Sequence, residues 1–148
     1  MHDTLLEAAR QLTQPSPNSA AEFDQKRSII AATASIRLTE RPDIEHLVGK
    51  PNLPLMDDNC HNFTTFMHSQ LHAFSPETLV ETCVWAIGVY RARGFDRAFW
   101  PANLRTFIHV IEEILSETAS REVRPFYEWI QTNLPQLFEA AEATQEEK

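Results

Sequence analysis

Apolar residues in the second half of the chain recur at the three- and four-residue spacing of a helix. The pattern is clearest over residues 58–74, 76–93, 97–117 and 120–134, and such spacing gives a helix one apolar face. No run of alternating apolar and polar residues is long enough for a strand. The chain has only three glycines, which leaves few positions for the left-handed turns of a β-sandwich or barrel. We therefore predict an all-α fold.

The remaining segments complete one domain, as expected for a chain of 148 residues. Residues 1–18 are predicted to be a flexible amino-terminal arm that includes one short amphipathic helix, and residues 20–38 a longer helix. The proline-containing stretch 39–57 is predicted to be a folded connection with one helical turn at 43–48. Residues 139–148 are acidic, and we expect them to fray.

Local signals mark the ends of one helix. Ser75, Pro76 and Glu77 are typical of a helix start, because they supply a capping side chain, a proline in the first turn and an acidic residue. Gly94 follows the same helix where a glycine commonly ends one. This helix is apolar nearly all round, so we expect it to be central. Pro125 fits the last predicted helix only in its first turn or at a kink.

Charge and composition exclude several function classes. Thirteen basic and 21 acidic residues give a net charge of -8, and such a surface repels a phosphate backbone, so nucleic acid is not expected as a partner. No apolar run approaches the roughly 20 residues of a membrane span, and the amino terminus lacks the features of a secretory signal. We expect a cytoplasmic protein with no membrane partner. Cys60 and Cys83 are expected to be free thiols.

The helix predicted over residues 58–74 has a polar face rich in histidine. His61, Thr65, His68 and His72 project within about 60° of one another. Three interpretations stay open: a solvated face, a metal site, or the polar wall of a ligand pocket. A zinc site requires histidines that converge with carboxylates or thiolates, and no His-Glu-x-x-His motif is present.

No sequence pattern points to an enzyme. The chain lacks a glycine-rich phosphate loop, a G-x-S-x-G motif and a C-x-x-C motif. Cys60 and His61 are neighbours on a helix and point about 100° apart, so they do not form a nucleophile with its base. His109 and Glu112 have no second such pair, which a di-iron site requires. We predict neither catalytic nor metal-ligating residues.

Residues 59–134 resemble the second half of a globin-like sensor domain. The stretch YRARGF at 90–95 is similar to the H-x-x-x-G pattern, followed by an apolar residue, around the proximal histidine of globin-coupled sensors, with Tyr90 at the histidine position. His61 precedes Tyr90 by about the interval between the distal and proximal positions of globins. The resemblance implies a globin-like helical domain in which the face of His61 lines the pocket.

The resemblance extends to the bilin-binding globins and the phycobiliproteins, which hold a linear tetrapyrrole. It implies a non-enzymatic protein that binds a bilin such as biliverdin between the helices over 58–74 and 76–93. Haem is the alternative ligand, with His61 or Tyr90 as axial candidates. A bilin requires a carboxylate near its pyrrole nitrogens, cations for its propionates, and aromatic walls. The residues proposed on this basis are Asp58, Cys60, His61, Thr65, His68, Trp85, Tyr90, Arg91, Arg93, Phe95 and Trp100.

A function of another class also stays open. The chain could be a ligand-free globin-like regulatory or interaction module that forms a homodimer through its last two helices. The absence of a histidine at Tyr90 favours this interpretation, whereas the histidine face favours a tetrapyrrole. Colour of the purified protein distinguishes the two.

Overall fold

The computed structural model describes residues 2–146, and over this range the chain is all-α, as predicted. Side chains are described for residues 3–144. A single 3-10 turn, Lys50–Asn52, precedes the fourth helix. The helices are α1 (His2–Ala9), α2 (Pro17–Thr39), α3 (Ile44–Val48), α4 (Leu53–His72), α5 (Pro76–Ala92), α6 (Phe99–Ile114), α7 (Glu117–Thr132) and α8 (Leu134–Glu146).

The starts of α4 and α7 differ from the sequence prediction in ways that change the place of a proline. Helix α4 begins at Leu53 rather than at residue 58, and Pro54 lies in its first turn, where a missing N–H costs no helical hydrogen bond. Helix α7 begins at Glu117 after the capping Ser116, so Pro125 lies inside the helix and not in its first turn. Ser75 caps α5 as predicted, because its Oγ accepts a hydrogen bond from the backbone N–H of Thr78 at 3.2 Å.

The amino-terminal segment is packed against the rest of the protein. Helix α1 lies against α5 and α8, and its Leu5 and Ala9 are buried in the core, 1% and 0% exposed. The side-chain oxygen of Gln14 accepts from the backbone N–H of Phe74 at 2.8 Å. The described residues 2–18 therefore differ from the flexible arm expected there, because the apolar face of α1 finds a partner surface that the local sequence does not reveal. Met1 lies outside the described residues.

The acidic carboxyl-terminal segment continues a helix. Helix α8 extends to Glu146, and Ala140 and Ala141 are buried against the core. Glu142 accepts from Arg97 at 2.5 Å and lies 3.4 Å from Arg91. Over residues 139–146 the expected fraying is thus replaced by helix, and residues 147 and 148 lie outside the description.

Two packing groups form the core. Helix α2 packs against α4, α6 and α7, whereas α5 packs against α1 and α8. Helices α4 and α5 follow each other in sequence but make few close backbone contacts. Side chains from both helices line a gap between them, and this gap contains the cavity described below. No helix in the described range is long and apolar enough to span a membrane.

Helices α2 and α7 cap each other. Ser16 and Ser116 are the N-cap residues of α2 and α7, respectively. The backbone N–H of Ser16 donates to Glu122 of α7 at 2.6 Å, and that of Ser116 donates to Glu22 of α2 at 2.6 Å. Each carboxylate thus satisfies N–H groups at the positive end of the other helix.

The turn between α5 and α6 is held by the segment before α4. Gly94 adopts φ 104°, a conformation that glycine tolerates best. The side-chain nitrogen of Asn52 donates to the carbonyl oxygens of Val48 and Arg93, both at 2.8 Å. The backbone N–H of Asp96 donates to the carbonyl oxygen of Leu47 at 2.7 Å. These bonds position the start of α6, which supplies one wall of the cavity.

Candidate ligand pocket

A cavity of about 170 Å³ lies between α4, α5 and α6, and α7 and the start of α8 each contribute a residue to its lining. Its lining has no charged side chain. The lining residues are Asn59, Asn62, Phe63 and Phe66 of α4, Thr82, Cys83, Trp85, Ala86, Ile87 and Tyr90 of α5, Trp100, Asn103 and Leu104 of α6, Ile130 of α7 and Leu134 of α8.

Helical spacing brings the α4 part of this lining together. Asn59, Phe63 and Phe66 are four and three residues apart, so they share one side of the helix. The ring of Phe63 packs edge-on against Phe107 and Tyr127, with centroids 5.1 and 5.4 Å apart. This wall is therefore fixed by the core behind it.

Asn103 is the most unusual residue of the pocket. It is 0% exposed, and neither its Oδ1 nor its Nδ2 has a hydrogen-bond partner. Asn59 is also buried, and its Nδ2 has no partner. A buried polar group without a partner costs about 1–3 kcal/mol, so such groups call for an explanation. Both asparagines line the pocket.

Trp85 is the exposed end of the lining. Its side chain is 64% exposed, although it is part of an apolar helix. An indole in this place offers a flat surface on which a planar ligand can stack. The pocket therefore has a polar inner end at Asn103 and an aromatic outer end at Trp85.

The predicted histidine wall lies elsewhere. None of His61, Thr65, His68 and His72 lines the pocket, which corrects the expectation that this face forms its polar side. Helix α4 has two buried sides, one with Cys60, Met67 and Leu71 and one toward the pocket. On the histidine face, His68 contacts α2, whereas His61, Thr65 and His72 are exposed.

His68 makes its contacts with α2. Its Nε2 lies 3.0 Å from Oδ1 of Asp24, in an ion-pair contact without hydrogen-bond geometry. Its Nδ1 is 3.3 Å from Nη1 of Arg27, and its ring is 4.5 Å from that of His72. Burial lowers the pKa of His68 below its ordinary 6.5, and Arg27 and His72 act in the same direction against Asp24.

The more exposed histidine of this face has a single carboxylate neighbour. Nε2 of His61 is 3.8 Å from Oδ1 of Asp57, and both side chains are about half exposed. Among the described residues, no group of three or more His, Cys, Asp or Glu side chains is placed to hold a metal ion.

Three of the predicted ligand residues do line the pocket: Trp85, Tyr90 and Trp100. Burial raises the pKa of Tyr90, and the nearby carboxylate of Asp58 raises it further, whereas Asn62 and Arg93 lower it. Asp58 and Arg93 are therefore within electrostatic reach of the Tyr90 end, although both are exposed and outside the lining.

Arg91 and Phe95 lie on a second, smaller depression. It has a volume of about 20 Å³ and also contacts Arg97 and Phe138. Ile87 and Trp100 line both cavities, so the depression adjoins the pocket across these two side chains.

The two cysteines are buried, and both are free thiols, as predicted. Cys60 lies on a buried side of α4, with its sulfur 3.9 Å from that of Met56. Cys83 lines the pocket. Burial raises the pKa of each thiol to about 12, so neither is a thiolate near neutral pH.

Sequence reasoning missed the asparagines of the pocket. Asn103 lies within the apolar stripe of α6, among Trp100, Leu104 and Phe107. A polar side chain within an apolar stripe was the sequence signal that could have identified Asn103 as a candidate binding residue. Sequence reasoning did not assign Asn59, Phe63 and Phe66 to the pocket. Helix α4 has two buried sides, and helical spacing does not distinguish the side that faces the core from the side that faces a cavity.

Comparison with known proteins gives no relative. No family model matches the chain, and no curated protein or solved structure matches it.

Proposed function

We propose that this chain is a non-enzymatic, globin-like binding protein for a planar conjugated ligand, with a linear tetrapyrrole such as biliverdin as its most suitable ligand class. The observation that carries the proposal is the unpaired amide of Asn103, buried at the inner end of a largely apolar pocket. Small-molecule sites typically combine an apolar lining with a few convergent polar groups.

The size of the cavity favours end-on entry of a linear molecule. An apolar cavity of about 150 Å³ binds benzene, so about 170 Å³ accepts one or two rings of a ligand. A linear tetrapyrrole can place one terminal ring in the cavity and the next against Trp85. A closed macrocycle cannot insert one ring at a time, so haem is the less suitable ligand.

The proposed axial residues also disfavour haem. His61 lies outside the pocket lining. Tyr90 lines it, but burial raises the pKa of its phenol and so opposes the phenolate that binds iron. A bilin requires no axial ligand.

The propionates of a bilin have a place near the second depression. Arg91 and Arg97 lie there beside Trp100, and both contact Glu142. A propionate that reaches over Trp100 would compete with Glu142 for these cations. This contact uses the Arg91 predicted from the resemblance, whereas no contact to Arg93, Cys60, Thr65 or His68 is needed.

The experiment is an absorption titration of the purified protein with biliverdin and, separately, with haemin. We expect a saturable, red-shifted and sharpened long-wavelength band with biliverdin. Trp85→Ala should weaken binding about tenfold, since a lost stacking partner and its buried area contribute about 1.4 kcal/mol. Ile36→Ala is the matched control, because Ile36 is similarly exposed (59%) on α2, away from the pocket. Non-saturating responses to both pigments would overturn the proposal.

The alternative function is a ligand-free regulatory or interaction module that forms a homodimer. Ile29 and Ile36 of α2 favour it, because these large apolar side chains are 57% and 59% exposed and lie two turns apart on one side of the helix. The sequence prediction placed the dimer contact on the last two predicted helices. The last two predicted helices, over 97–117 and 120–134, correspond to α6 and α7. The test therefore compares that surface with the surface around Ile36. Sedimentation of Ile36→Lys and of Glu128→Lys, at an exposed position of α7, would show which of the two surfaces holds a dimer together.

A further inference from the structure

We infer that Asn103 selects ligands whose inner edge carries a neutral N–H group beside a carbonyl group, as in a lactam or another cyclic amide. This inference rests on the proposed function and specifies the chemistry of the ligand end that enters the pocket.

The chemistry of the asparagine side chain supplies the first step. Its Oδ1 is an acceptor and its Nδ2 carries two donor hydrogens. In this structure both atoms of Asn103 are buried without a partner. A ligand edge with an adjacent N–H and C=O pairs with both at once, as an asparagine pairs with the edge of adenine. A ligand with only a carbonyl at this edge leaves the Oδ1 of the amide unpaired.

Asn59 supplies a further hydrogen-bond donor to the pocket. Its Nδ2 is also buried, unpaired and part of the pocket lining. A carbonyl oxygen accepts two hydrogen bonds, so one carbonyl can accept from Asn103 and from Asn59. The pocket therefore offers more donors than acceptors at its inner end, which suits a carbonyl-bearing ligand.

The lining also determines the charge of the inner edge. None of its side chains is charged, so an entering carboxylate or ammonium group would lose its hydration without gaining a counter-ion. The edge is therefore neutral. Terminal rings of a linear tetrapyrrole that carry a lactam meet this requirement, and its propionates stay outside.

Matched small probes test the inference on the intact protein. We would measure binding of quinolin-2(1H)-one and its N-methyl derivative by calorimetry, since the two differ at the N–H group. The lactam should bind at least tenfold more tightly to the natural protein, because the methylated probe leaves the acceptor of Asn103 unpaired. In Asn103→Leu this preference should disappear. Asn18→Leu is the control, since Asn18 is exposed and lies outside the pocket lining.

The possible negative results distinguish a failure of the Asn103 inference from a failure of the proposed function. Equal binding of the two probes to the natural protein, or biliverdin binding that is unchanged in Asn103→Leu, would overturn the role of Asn103 and leave the pocket as a binding site. Absence of binding by both probes and by biliverdin would overturn the proposed function as well. The comparison of probes on the natural protein needs no variant, so it stands even if Asn103→Leu fails to fold.

Discussion

Glu22 and Glu122 occupy reciprocal positions in the fold. Glu22 accepts from the backbone N–H and the hydroxyl of Ser116 at 2.6 and 2.8 Å. Glu122 accepts from the backbone N–H of Ser16 at 2.6 Å and from the hydroxyl of Ser19 at 2.7 Å. These backbone hydrogen bonds are the main reason that the pKa of each carboxyl lies below its ordinary 4.5. The two residues therefore connect the amino-terminal ends of α2 and α7.

The reciprocal caps predict a loss of stability in acid. A carboxyl whose pKa is lower in the folded protein stabilises it above the ordinary pKa of 4.5, and this contribution disappears as the pH falls through the lower, folded value. We expect the urea midpoint to fall as the pH drops from about 5 toward 3. The double variant Glu22→Gln with Glu122→Gln should be less stable at neutral pH and show a flatter pH dependence. Glu128→Gln, an exposed residue of α7, is the control; an unchanged slope in the double variant would contradict the prediction.

The Asn52 contacts predict a measurable role for one side chain in holding the α5–α6 turn. Asn52→Ala removes the donor shared by the carbonyl oxygens of Val48 and Arg93. We expect a loss of about 1–2 kcal/mol in the free energy of unfolding, because each hydrogen bond contributes about 0.5–1.5 kcal/mol. Asn18→Ala, at an exposed position near the start of α2, is the control. Equal urea midpoints for Asn52→Ala and the natural protein would refute the role of Asn52.

The buried thiols predict that a bilin is held without a covalent bond. Both cysteines are buried with their pKa raised to about 12, and a thioether forms through the thiolate. After incubation with biliverdin, the pigment should separate from the chain on a denaturing gel. A thiol reagent should label both cysteines slowly in the folded protein and rapidly in urea. Pigment that stays on the denatured chain, and is lost in Cys83→Ser, would show attachment at Cys83 and contradict this prediction.

Local sequence determined the secondary-structure elements of this protein. The all-α class follows from helical periodicity, and the start of α5 at Ser75 and its end before Gly94 follow from residue-specific backbone preferences. These features depend on residues within a few positions of one another. The aromatic side of the pocket could be predicted in part, since Trp85, Tyr90 and Trp100 are among the residues proposed from the resemblance and line the pocket.

Only the tertiary structure decided which faces meet. Periodicity shows that α4 has apolar and polar sides, but it does not show that Phe63 faces a cavity while His68 faces α2. The amino-terminal segment likewise became a packed helix because α5 and α8 offered it a surface. Whether Asn103 has a hydrogen-bond partner depends on the gap between α4 and α5, which arises from how distant helices pack. The sequence alone therefore determined which segments are helices, and packing between distant segments decided where the unpaired polar groups lie.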